Sequence, residues 1–305
     1  MDLREQKYVL AIAKFGSIKL GAEELNITPP TLSIFLSNLE SNLGTMLFHR
    51  LGKKLVPTEV GHLYIESAHK ILNISNNCDA AINDYISGST GTIRFGIHPR
   101  RTLYLLPESL SIFSKLYPKV NVISYEESST QMYKLLIDGE LDFIIHNQIN
   151  HNPALEYQPL YSDRLVLVTK ANHKNNSLAV KLPRETLPWI DLSLFNGERF
   201  ILQKPKQACR IYSDQAIAYS KAVPSSTFMI ENMEAAAQLA AEGVGIAFSY
   251  LNYVKRYVYP KPTKYFLVGD PNISVKYYIV QRKDKYLPKF TNEYIEILRS
   301  VINKF

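Results

Sequence analysis

The sequence predicts an α/β protein in which an N-terminal winged helix-turn-helix and a long linker helix precede a larger domain of alternating strands and helices. Three observations carry this. The first 58 residues hold three short capped helices and a hairpin, the next 29 carry apolar residues at heptad spacing, and the chain beyond residue 91 alternates strand-like with helical runs. The 305 residues suit two domains at ~150 residues each. At 46% apolar and 21% charged residues the composition is globular.

The first helix ends at Gly16, and Ser17 caps a second carrying Ile18, Ala22 and Leu25. After a turn at Asn26-Ile27, Thr28 caps a third, with Pro29 and Pro30 in its first turn, where a missing N–H costs nothing. Leu32, Leu36, Leu39 and Leu43 give it a buried stripe, and Gly44 stops it. Residues 47–57, with Gly52-Lys53 at the tip, read as a β-hairpin wing. Thr58 then caps a helix reaching about Ser87. Its stripe Tyr64, Ala68, Ile71, Ser75, Cys78, Ile82 and Tyr85 has the period of a helix that pairs with a second copy of itself. Residues 87–91 read as a flexible linker.

Strands are predicted at 92–97, 121–126, 141–146, 164–169, 199–202, 227–231, 245–249, 265–268 and 275–281. Helices are predicted at 103–117, 129–139, 209–222, 232–243 and 289–303. That rhythm argues for parallel sheets with ligand sites at the carboxyl ends of strands.

Formal net charge is +7, but residues 1–90 hold 8 Lys and Arg against 9 Asp and Glu, so the excess lies in the C-terminal two-thirds. Two cysteines, Cys78 and Cys209, exclude a disulfide-rich fold and a CxxC site. No leader and no membrane span is readable, so a soluble cytoplasmic protein without membrane partner is expected. No metal-ligand cluster or cofactor motif is found. Gly243-Val244-Gly245 joins a helix to a strand, the reverse of a phosphate-binding loop.

The motifs Gly16-Ser17, Ala22-x-x-Leu25, Thr28-x-Pro30-Thr31-Leu32-Ser33, Leu39-Glu40, Leu43-Gly44, Leu47-Phe48-x-Arg50 and Pro57-Thr58-x-x-Gly61 resemble the DNA-binding region of LysR-type transcriptional regulators. Gly91–Gly96, Leu105-Leu106-Pro107, Tyr117-Pro118, Gly139-Glu140-Leu141-Asp142, residues 164–168 and Gly243-Val244-Gly245 resemble that family's inducer-binding domain. The resemblance implies residues 1–58 as DNA-binding domain, 59–87 as dimerising linker helix and 88–305 as a two-lobed, periplasmic-binding-protein-like effector domain. Lobe I is then 91–160 with 268–305, and lobe II 161–267. It further implies double-stranded DNA and a small inducer as partners, self-assembly as a homodimer or homotetramer, and no cofactor.

For DNA contact the expected residues are Ser17, Thr28, Pro29, Pro30, Thr31, Ser33 and Asn38 on the head, with Arg50, Lys53 and Lys54 on the wing for phosphates. Residues 21–49 contain no Lys or Arg, where the family commonly has polar or basic side chains on the third helix. Bidentate guanine contacts are therefore unavailable there, leaving hydroxyls, Asn38 and apolar contact with thymine methyls.

For the effector, Ser128, Ser129 and Thr130 open a helix, where free N–H groups favour an anion. His98, Arg100 and Thr102 are expected on a loop after the first strand, with His146 and Gln203 lining the cleft. Adjacent arginines are usually solvated, but the two guanidiniums of Arg100 and Arg101 suit a carboxylate or another small oxyanion. Tyr250, Tyr253, Tyr257 and Tyr259, with Lys255 and Arg256, read as lobe surface or a subunit contact.

The leading function is a ligand-responsive DNA-binding transcriptional regulator taking a small anionic inducer. One alternative is a cytoplasmic solute sensor that has lost sequence-specific DNA binding. An enzyme using a pair such as His98 and Asp142 is disfavoured, since no GxSxG, HExxH or Walker sequence is present.

Overall fold

A computed structural model describes residues 3–52, 54–86, 89–147, 152–205, 207–257 and 259–303. The head consists of α1 (Arg4–Phe15), α2 (Ile18–Glu24), α3 (Pro29–Leu43) and the hairpin β1 (Phe48–Leu51) and β2 (Lys54–Pro57). Val9, Ile12, Ala22, Leu32, Leu36, Leu39, Leu47, Phe48 and Leu55 form its core. Leu43, expected in the buried stripe of α3, is 45% exposed, because the helix runs past the core in its last turn. Glu40 Oε1 accepts the amides of Leu47 and Phe48 at 2.7 and 3.1 Å, so one carboxylate ties α3 to the wing.

The linker helix is α4 (Glu59–Ile86). Thr58 Oγ1 accepts the Gly61 amide at 2.9 Å and donates to Met46 O at 2.8 Å. A Cβ at Gly61 would lie 2.0 Å from Leu47 O, so only glycine lets the helix start against the wing. The heptad stripe is not one continuous exposed seam. Tyr64 packs on the head's core and Ala68 is buried, while Val60, Leu63 and Ile74 are exposed along another face. The head and the following domain cover the first face, and covered positions are unavailable to a second helix. Ile82 and Tyr85 of the expected stripe do remain exposed. Positions 87 and 88 of the expected linker lie outside the described residues.

Beyond it lie two five-stranded sheets. The first contains β3 (Gly91–Ile97), β4 (Val120–Tyr125), β5 (Phe143–His146), β6 (Leu155–Asp163) and β12 (Val275–Arg282), in the order β4-β3-β5-β12-β6. It carries α5 (Pro99–Leu116), α6 (Ser129–Ile137) and α10 (Lys289–Asn303). The second contains β7 (Leu165–Lys170), β8 (Arg199–Leu202), β9 (Ser226–Met229), β10 (Ile246–Tyr250) and β11 (Thr263–Leu267), in the order β11-β7-β10-β8-β9. It carries α7 (Ala208–Tyr219), α8 (Met233–Ala241) and the single turn α9 (Leu251–Val254).

Both sheets are mixed. β3 with β4 and β5, and β8 with β9 and β10, pair in parallel, while β12 and β7 pair antiparallel to their neighbours. β6 was not among the predicted strands: Pro159 and the polar residues around it hide the alternation, yet the strand pairs with β12 along its length to Asp163. Residues 161–163 therefore sit on the first lobe's sheet, and the chain crosses to the second lobe at Arg164 and back after Leu267.

Candidate nucleic-acid interface and interlobe site

On the head, Thr28 Oγ1 accepts the Thr31 amide at 3.3 Å, and the two hydroxyls stand 2.8 Å apart. Thr28, Pro29, Pro30, Thr31 and Asn38 are exposed, and Ser33 is half-buried on the same helix. Ser17 is the N-cap of α2, its hydroxyl accepting the Leu20 amide at 3.4 Å. Arg50 and Lys54 are exposed on the wing strands, and Lys53 lies outside the described residues. The same face carries one residue the sequence reading passed over. Ile34 is 61% exposed, and the spacing of Leu32, Leu36 and Leu39 already puts position 34 opposite the core. The outer face of α3 is thus uncharged, with hydroxyls, a carboxamide and an isoleucine.

Between the lobes, the expected loop at 98–102 is instead the first turn of α5. Pro99 favours a helical start, and His98 caps it, its Nδ1 accepting the Arg100 amide at 3.4 Å. Adjacent residues on a helix diverge by about 100°, and the two arginines part accordingly. Arg100 reaches across the cleft, its Nε 3.0 Å from Glu234 Oε2 and its Nη2 donating to Glu231 O at 2.9 Å. Arg101 turns inward and is 5% exposed. The Thr102 hydroxyl donates to Pro99 O inside its own helix.

The anion site expected at the start of α6 is only partly open. Ser128 Oγ accepts the Gln131 amide at 3.3 Å as N-cap, and Ser129 Oγ stands 2.7 Å from His146 Nε2, while Thr130 is exposed. His146 is buried by that contact. Gln203, one residue past β8, is fully buried with neither amide atom hydrogen-bonded.

The tyrosine cluster is only partly surface: Tyr257 and Lys255 are exposed as expected, and the rest are not. Tyr250, Tyr253 and Tyr259 are buried, and Tyr253 meets Tyr104 of the first lobe edge to face at 5.5 Å. The Arg256 guanidinium lies 4.6 Å from the Tyr104 ring, so this segment closes the cleft rather than facing solvent. Burial, with the charges of Arg101, Arg100 and His146, pulls the His98 pKa down to about 3, so the ring is neutral. His98 and Asp142 are not joined. Asp142 accepts the Arg94 amide at 2.7 Å and pairs with Lys285 Nζ at 2.9 Å.

The first lobe also rests on α4. Tyr286 OH donates to Asp84 Oδ2 at 2.7 Å, the Lys289 amide reaches the same oxygen at 3.2 Å, and Asn77 Nδ2 donates to Asp284 O at 2.7 Å. At Gly139 (φ +81°) a Cβ would fall 1.9 Å from Asn73 Oδ1, so glycine is required where α4 crosses. A cleft of 1190 Å³ separates α1 and α4 from the first lobe below this contact.

Comparison with known proteins gives two family models in tandem. Residues 3–62 match "Bacterial regulatory helix-turn-helix protein, lysR family", and residues 87–303 match "LysR substrate binding domain". The hydrogen peroxide-inducible genes activator of Escherichia coli O157:H7 is 25% identical over 249 residues, covering 81% of this chain and 78% of that one. A probable RuBisCO transcriptional regulator of Cyanophora paradoxa is 28% identical over 254 residues, with coverage of 81% and 75%. In structure, full-length OxyR from Pseudomonas aeruginosa superposes with a TM-score of 0.74 at 20% identity, over 99% of this chain and 95% of that one.

Proposed function

The chain belongs to the LysR family of ligand-responsive, DNA-binding transcriptional regulators, and from that premise we propose how it reads DNA and what governs it. The head enters the major groove of double-stranded DNA with α3, using Thr28, Pro29, Pro30, Thr31, Ser33 and Asn38, with Ile34 added. Ser17 and the wing residues Arg50, Lys53 and Lys54 hold the phosphates. A small anionic effector sits between the lobes, near Arg100, His146 and Gln203, and sets their closure. The protein acts in the cytoplasm by binding rather than by turnover. It works as a homodimer or homotetramer, for which the exposed Val60, Leu63 and Ile74 of α4 supply an apolar face. Among the described residues no helix is long and apolar enough to cross a membrane.

The observation that carries this reading is the exposed outer face of α3, bearing hydroxyls and a carboxamide, beside the exposed Arg50 and Lys54 of the wing. A gel-shift titration against the DNA upstream of the chain's own gene tests it. Tighter binding than to random DNA, weakening steeply with salt, is expected. Equal binding to both would sink it.

The absence of Lys and Arg from residues 21–49 also favours a second reading, a solute sensor without sequence-specific DNA binding. Joint substitution of Arg50, Lys53 and Lys54 by Gln separates the two, since a pure sensor keeps its biological effect.

The peroxide response for which one relative is named does not suit this chain's thiols. Both cysteines are free; burial pushes the Cys209 thiol up to about 12, away from the reactive thiolate, and Cys78 lies exposed on α4.

A further inference from the structure

Arg101 is buried between the lobes without an ion pair, the Asp163 carboxylate acting on it only from a distance. Its Nη1 donates to Ile145 O at 3.2 Å and its guanidinium lies 4.5 Å from the Tyr277 ring. Its Nε has no acceptor, and among the described residues no carboxylate comes within 4.0 Å of it. Tyr161 stacks on Tyr277 at 4.4 Å, and the hydroxyls of Tyr104 and Tyr161 meet at 2.9 Å, so aromatic rings wall the guanidinium in. Burial works against its charge, yet a guanidinium keeps its proton in a protein.

A buried charge left unpaired is unfavourable by several kcal/mol, and an unmet buried polar group by ~1–3 kcal/mol. Folded proteins keep few such groups, yet here they gather from both lobes. Arg101 Nε and Tyr277 OH come from the first lobe and Tyr250 OH from the second. Arg101 interacts electrostatically with both tyrosines. All three groups are donors, and Gln203 of the second lobe leaves both amide atoms unmet as well. Asp163 adds a buried oxygen, Oδ2, with no donor, while its Oδ1 accepts the amides of Arg164 and Asn252 at 2.8 and 3.2 Å.

We propose that Arg101 is the anchor of the effector, which is a small organic acid whose carboxylate takes the guanidinium while Tyr250, Tyr277 and Gln203 supply the remaining hydrogen bonds. This rests on the reading that an effector sits between the lobes. Of the groups expected to meet an anion, the hydroxyls opening α6 and the two guanidiniums of residues 98–102, it singles out Arg101. A carboxylate fits because it accepts two parallel N–H bonds. Asp163 Oδ2 accepts a hydrogen from an acid that also carries a hydroxyl.

The test is a thermal-shift titration of the full chain with propionate, lactate and benzoate, each beside its amide, and with sulfate. At least one acid raises the melting temperature by several degrees while its amide does not, because a ligand that binds only the folded state stabilises it by mass action. Arg101→Met melts at the same temperature as the wild type or higher, because an unpaired charge has gone, and loses the acid's shift. Arg101→Lys keeps a reduced shift, and tests the point even if the methionine variant misfolds. Acids and amides that act alike, or not at all, overturn the proposal, as does a full shift in both variants. A shift by sulfate alone overturns the carboxylate and leaves an inorganic oxyanion. The gel shift of the wild-type chain is scored separately: its failure sinks the regulator reading and leaves the acid result standing.

Discussion

Arg100 Nε stands 3.0 Å from Glu234 Oε2, joining the first turn of α5 in one lobe to the first turn of α8 in the other. Each side chain is only 17% exposed, so the pair is shielded from solvent more than an ordinary surface bridge. It is a strap between the two lobes.

Removing either end opens that strap. Arg100→Ala or Glu234→Ala destabilises by about 1–2 kcal/mol, more than the ~0.2–1 kcal/mol of exposed pairs, because the abandoned partner stays partly buried. The double variant destabilises by less than the sum of the two. Thermal melts of the four chains measure this. Additive losses would show that the contact carries no energy.

The isoleucine on α3 makes a second expectation. If Ile34 touches a thymine methyl, replacing thymine by uracil in the bound site weakens binding by ~0.8 kcal/mol, about fourfold, for each methyl buried. Ile34→Ala then binds thymine and uracil DNA equally. Fluorescence anisotropy on the paired duplexes measures it, and an unchanged thymine preference in the variant would contradict the assignment. A guanine-reading arginine would be blind to the methyl.

A third concerns His98. The folded chain holds it at about 3 and the unfolded chain near 6.5, so below 6.5 the unfolded state binds the extra proton. Stability is therefore full above about 6.5 and falls as the pH drops towards 3. Asp163 acts the other way, because burial raises it to about 6 and its contribution is lost as pH rises through that value. The difference between wild type and His98→Gln isolates the histidine. The wild type loses up to about 5 kcal/mol across the window relative to the variant. Urea melts at stepped pH measure the difference, and parallel curves would refute it.

Much of the head is written locally. Ser17, Thr28 and Gly16 cap helices where capping chemistry says they should, and the Leu32–Leu36–Leu39 period orients α3. The alternating strands were legible for the same reason. What escaped was set by neighbours far along the chain. The inward face of α4 is decided by Asn73 meeting Gly139 and by Tyr64 joining the head's core. Arg101 reads as one of two solvated arginines until Pro99 starts the helix earlier than expected and the two diverge. Tyr250 and Tyr253 likewise acquire their place only when α9 folds onto α5.

The grip of Asp84 on Tyr286 and Lys289 has a mechanical consequence. It splints the first lobe to the same rod that bears the reading head, so those parts travel as one. The second lobe joins them through two chain crossings, the Arg100 strap and the packing of Tyr253 and Arg256 on Tyr104. Any turn of the second lobe about those contacts would be a swing against a fixed mast.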